Sequence, residues 1–192
     1  MPYFYCHDKS EANFSSLLKN ILEKWESLRL SDDFINVLKE TAFVKRKESG
    51  GNGEIVFVKP DQLFDPRNQL LDFVFDQDRS CFPAEEFTTE SSLDILVTVG
   101  LKTEVDKDTF LKCAWIVEEE QSYSKALKLF EYFNEHFGEF FDNNRGEFIR
   151  NLAEVCCVPV VDGLSLCRFR DAGKSQIISF LQLETIVVIQ KI

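Results

Sequence analysis

The chain reads as a helix-rich α+β protein, in which amphipathic helices and two short β-hairpins form a repeated helix-plus-hairpin unit. Three observations lead there. Apolar residues recur at helical spacing over most of the length. Two Val- and Phe-rich stretches alternate around glycine-containing turns. The order helix then strand comes twice, with Phe34, Ile35, Leu38, Glu40 and Val44 matching Phe148, Ile149, Leu152, Glu154 and Val158 at one constant offset.

Taken in order, Phe14, Leu17, Leu18, Ile21, Leu22, Trp25 and Leu28 share a helical face. Ser31 is placed to cap a second helix carrying Phe34, Ile35, Val37 and Leu38. The stretch AFVKRKESGGNGEIVFVK sets two strands around a charged, glycine-rich loop, a hairpin ended by Lys59-Pro60. In Leu-Phe-Asp-Pro-Arg, Phe64 is expected as an aromatic plug, Asp65 as an N-cap and Pro66 as the first residue of a short helix. Proline's fixed φ and missing N–H suit that position.

A helical middle follows. Thr88 or Thr89 caps a helix through Leu93 and Leu96 that Gly100 ends, and Asp106 opens another with Phe110, Leu111, Ala114 and Val117. A helix from Ser122 puts Ala126, Phe130, Phe133 and Phe137 on one face, so these last two should form an αα-hairpin with facing apolar stripes. The Glu118 to Glu120 run between them reads as a solvated corner rather than a metal site. The second repeat then runs through Val158 into Val160 to Leu164, where Asp162-Gly163 signals a tight turn. The expected organisation is one module over 1–192. It comprises a repeat unit at about 31–66, a helical middle at 67–143, a second unit at about 144–172 and an atypical tail at 173–192.

Composition bounds the function. A chain of 192 residues buries roughly two-thirds of its unfolded surface without staples. With 19 Phe against one Met, the core is built from rigid aromatic plates. The formal charge of -11 argues against nucleic acid, whose binding draws on clustered Lys and Arg, and disfavours anionic membranes. The amino terminus is polar from His7 onward and lacks a signal-type apolar run. Ser179, Gln182, Glu184 and Gln190 break the last apolar tract short of a membrane span. Cys6, Cys81, Cys113, Cys156, Cys157 and Cys167 lack framework spacing and fit buried thiols in a reducing, cytoplasmic compartment.

Three catalytic patterns fail on spacing or setting. Gly173-Lys174-Ser175 ends like a phosphate loop, but Arg168 stands where that loop needs a glycine, so the polar start of a helix is expected instead. Cys157 with His136 or His7 could pair thiol and imidazole, yet Val155, Val158 and Val160 surround the cysteine with apolar neighbours that keep a thiol neutral. Zinc needs about four thiol or imidazole ligands, and there is no Cys-x-x-Cys pair.

The most specific stretch is IVFVKPDQLFDPRNQLLDFVFDQDRSCFP, from Ile55 to Pro83. Its Pro60, Leu63, Phe64, Asp65, Pro66, Leu70, Leu71, Phe82 and Pro83 are similar to the sacsin family. There a strand, a Pro-x-x-Leu-Phe-Asp-Pro turn, a short helix and a Phe-Pro step recur in modules downstream of a chaperone-type ATPase. The similarity continues through Leu93, Leu96, Gly100, Leu101 and Lys102 and more weakly to about Phe169. The family's ATP site is not carried over, because Gly50, Gly51 and Gly53 sit between Glu48 and Glu54, the wrong charge for phosphate. The J-domain His-Pro-Asp is missing as well, since Asp8 follows His7 directly.

The resemblance implies a non-catalytic interaction or scaffold module of a chaperone-associated cytosolic protein, with no cofactor or metal. Pro60, Leu63, Phe64, Asp65, Pro66, Phe82, Pro83 and Gly100 would be its structural motif, and a chaperone or client its protein partner. Two other readings are a cysteine-dependent hydrolase and a helical-repeat adaptor. The family pattern breaks after Ala172; the tail from Thr185 to Ile192 is expected to dock on the second hairpin, and left undocked its β-prone edge at Thr185 to Ile189 is expected to drive self-association.

Overall fold

The computed structural model describes residues 11–47, 55–140, 146–160 and 165–174. The elements are α1 (Glu11–Leu28), α2 (Asp32–Glu40), β1 (Val44–Lys45), β2 (Phe57–Val58), α3 (Gln69–Val74), α4 (Glu90–Thr98), α5 (Lys107–Glu120), α6 (Tyr123–Glu135), α7 (Phe137–Phe140), α8 (Gly146–Glu154), β3 (Cys156–Pro159) and β4 (Leu166–Arg168). Helices dominate, and the strands form two antiparallel pairs, β1 with β2 and β3 with β4, so the fold is helix-rich α+β. The chain divides into two compact units, the first made of 1–66 and 78–103 and the second of 67–77 and 104–192.

In the first unit, the Ser31 hydroxyl accepts the Phe34 amide to start α2, and Thr89 accepts that of Ser92 to start α4. Gly100 ends α4 by taking φ +113°, which lets the Leu101 amide reach back to the Leu96 carbonyl. Ile21, Leu38, Phe43, Val44, Leu93 and Leu96 close the core. Val44 faces Val58 and Lys45 faces Phe57 across the hairpin, whose loop at 48–54 lies outside the described residues. The other edge of β1 is also paired, because the Lys47 amide donates to the Phe82 carbonyl and the Ala84 amide to that of Lys45.

In the second unit, Asp106 and Ser122 cap α5 and α6. The turn between them passes through Gln121 at φ 48°, left-handed without the glycine that usually makes such a stop. α5 and α6 pack on each other and on β3. A ring cluster fills the interior: Phe110 lies 5.4 Å from Phe133 and 4.9 Å from Phe140, and Phe133 meets Phe169 edge-on at 5.6 Å. Such tilted and edge contacts add to area burial. Phe137 does not continue α6, which stops at Glu135; it opens α7.

Each unit holds one helix-plus-hairpin, and at the constant offset of the sequence match α2 falls on α8 end to end and Val44 on Val158. The likeness extends to an ion pair. Glu40, the last residue of α2, accepts from Lys59 Nζ at 2.5 Å, while Glu154, the last of α8, accepts from Arg170 at 2.6 Å. Each cation stands just beyond its return strand, so the same clasp ties helix end to hairpin end twice.

Three local expectations change. Asp65 is not the cap of α3: its own amide donates to the Lys102 carbonyl, and Asn68 Oδ1 takes the Leu70 and Leu71 amides instead. The Glu118 to Glu120 corner is exposed at Glu119 and Glu120, as a solvated corner should be, but it also carries structural bonds, since Glu118 accepts the Cys156 amide and Glu120 pairs with Lys125. Gly173 and Lys174 close a 3-10 turn over Phe169–Lys174. The Asp162-Gly163 turn and the tail from Ser175 onward lie outside the described residues.

Candidate functional site

All eight motif residues fall in the first unit, and most are buried among backbone bonds. Pro60 opens a 3-10 turn after β2, where the Gln62 side chain accepts the Lys59 amide. The turn delivers Leu63 and Phe64, which are 1% and 6% exposed, into the core. Three stretches distant in sequence meet there: the Phe64 amide donates to the Cys81 carbonyl, the Asp65 amide to that of Lys102, and the Lys102 amide to that of Leu63. Phe82 and Pro83 are buried and complete the pairing along β1. Pro66 is partly exposed in the turn leading to α3. Pro60 and Pro66 are trans, as is every described peptide bond.

Two cations lie over the motif's rings, Arg79 at 4.4 Å from the Phe82 centroid and Lys102 at 5.9 Å from that of Phe64. Gly100 is constrained by its backbone rather than by space, because a Cβ there would meet Asp61 at an ordinary 3.8 Å. The motif thus joins hairpin, turn and α4. Its named backbone polar groups are engaged within the protein.

The second unit carries a polar groove. A groove of about 230 Å³ runs between the start of α3, at Asn68, Gln69 and Leu70, and the face of α6 bearing Lys128, Glu131, Tyr132, Glu135 and His136. That is below the ~300–1,000 Å³ of a small-molecule site. Tyr132 and His136 stack at 4.0 Å between centroids, and Lys128 lies 3.4 Å from Glu131. Burial first, then the nearby Glu139 carboxylate, pushes the Tyr132 hydroxyl above its ordinary pKa, so it stays a neutral donor at neutral pH.

At the other end of α3 stands a buried cation. The Lys125 side chain is 5% exposed and reaches Asp76 at 2.5 Å and Glu120 at 2.6 Å. Burial pulls its pKa down, but the hydrogen bonds it donates to both carboxylates outweigh that and hold it above the usual lysine value. The Asp76 carboxyl is held below its usual range, chiefly by the Lys125 hydrogen bond. This triad was missed in the sequence. Its one local signal is a lysine beside Ala126 and one turn before Leu129, both fully buried.

Three of the described thiols are poor nucleophiles where they stand. Cys157 is fully buried and burial drives its pKa far up, Cys81 is pushed up to about 12 by burial and then by Asp78, and Cys156 is raised by burial and then by Glu118. Nucleophilic attack needs the thiolate, which each of these settings disfavours. Among the described residues no three His, Cys, Asp or Glu side chains are grouped to hold a metal. No helix there is long and apolar enough to cross a membrane.

No family model, curated protein or solved structure matches the chain.

Proposed function

We propose that the chain is a non-catalytic interaction or scaffold module of a sacsin-like, chaperone-associated protein, acting in the cytoplasm in protein folding or quality control. One observation carries the reading. The residues that make the resemblance, from Pro60 to Pro83 and at Gly100, are placed as architecture: Leu63, Phe64 and Phe82 are buried, and the turn's backbone is bonded to Cys81 and Lys102. A stretch so engaged positions surfaces rather than reacting groups. The protonated, buried Cys157 weighs in the same direction against a cysteine-dependent hydrolase. Function here would lie in protein contact, with a chaperone or client as partner. Titration of the purified chain with Mg-ATP in a calorimeter tests this. Heat no greater than that of an unrelated acidic protein is expected, and saturable binding would overturn the reading.

A further inference from the structure

The chain crosses into the second unit twice, and the first crossing is short. Residues 67–77 pack in the second unit although the residues on either side, up to Pro66 and from Asp78, belong to the first. The crossing contains one helix, α3, of six residues, and a helix of that length has no stability of its own in water. Its helicity therefore depends on docking.

The dock is uneven. Leu70, Leu71 and Val74 are buried, and α3 packs on α5 and α6. Past its C-terminal end, Asp76 is tied to the buried Lys125, which Glu120 holds from the other side. Beside its N-terminal end the groove at Gln69, Tyr132 and His136 stands open. The seam thus carries a charged tie past its C-terminal end and borders the groove at its N-terminal end.

We propose that residues 67–77 form a strap latched by the Asp76–Lys125–Glu120 triad, which opens from α6 as a local event while α5, α6 and β3 stay folded. Opening bares the apolar face that Leu70, Leu71 and Val74 cover, a surface suited to another short apolar helix carrying an acidic residue at its C-terminal end. This goes beyond the interaction-module reading, because it concerns a local equilibrium that exists whatever the partner.

Native-state hydrogen exchange on the full chain tests it. The reporters are the Asp72 and Phe75 amides, which donate to the Asn68 and Leu71 carbonyls, compared with amides inside α6. Wild-type α3 should exchange at least about tenfold faster than α6, consistent with sub-global opening. Asp76→Asn should speed α3 by about a further fivefold, the scale of a partly exposed ion pair, and leave α6 unchanged. Exchange of α3 and α6 in step, or an Asp76→Asn effect equal on both or absent from α3, would overturn the latch. Asp76 is half-exposed, so this variant keeps the test valid even where Lys125→Met fails to fold.

Discussion

Truncating Phe64 to alanine removes a ring that is 6% exposed and whose backbone is fixed on both sides, by the Cys81 carbonyl at its amide and the Lys102 carbonyl at the next. The neighbouring chain is held by those bonds and by the Pro60 turn, so it cannot collapse far into the space left. The expected cost is about 3–5 kcal/mol. Loss of the Lys102 contact adds little, since 5.9 Å is close to the outer limit of a useful cation–π distance. Against a domain stability of about 5–15 kcal/mol, that is a large fraction. Urea titration followed by far-ultraviolet circular dichroism should show a lower midpoint at unchanged slope, and Phe64→Leu should cost visibly less. A cost for Phe64→Ala within about 0.5 kcal/mol, the range of ordinary surface changes, would refute the claim that the turn organises the first unit.

Other outcomes follow from single positions. Gly100→Ala, at φ +113°, should destabilise the first unit by about 1–2 kcal/mol through backbone strain, and a change within ±0.5 kcal/mol would contradict this. The lowered Asp76 pKa means its pairing stabilises the fold above the unfolded carboxylate value near pH 4 and is lost as pH falls through the folded value, so α3 protection should decline below about pH 4 and less so in Asp76→Asn. At the alkaline end, the raised Lys125 keeps its contribution below about pH 10.4 and loses it as pH rises through the folded value. Iodoacetamide should label Cys157 far more slowly than a free thiol at neutral pH; equal or faster labelling of the folded chain would restore the hydrolase reading.

What the residues announce on their own is mostly local. Ser31, Thr89, Asp106 and Ser122 each accept an amide three residues on, a bond set by nearby geometry and therefore readable as sequence. The repeat was readable for the same reason, since helix and strand periods recur over Phe34 to Val44 and Phe148 to Val158. The misreadings involve partners far away in the chain. Asp65 suits a cap by type, but its amide is drawn to the Lys102 carbonyl and α3 starts later, with Asn68 as its cap. Lys125 gains its pairing only through Asp76, 49 positions away, which no local pattern brings beside it. Gln121 adopts a left-handed turn that its side chain does not advertise. The clasps at Glu40 and Glu154 likewise depend on the hairpins to bring Lys59 and Arg170 back to the helix ends.

The proposed role in protein contact is tested most directly by light scattering from a chemically unfolded client diluted into the purified chain at equimolar ratio, with and without Mg-ATP. An interaction module without a reaction of its own predicts suppressed aggregation of the same extent in both. Aggregation as fast as with an unrelated acidic protein, or suppression that appears only with ATP and consumes it, would contradict the account.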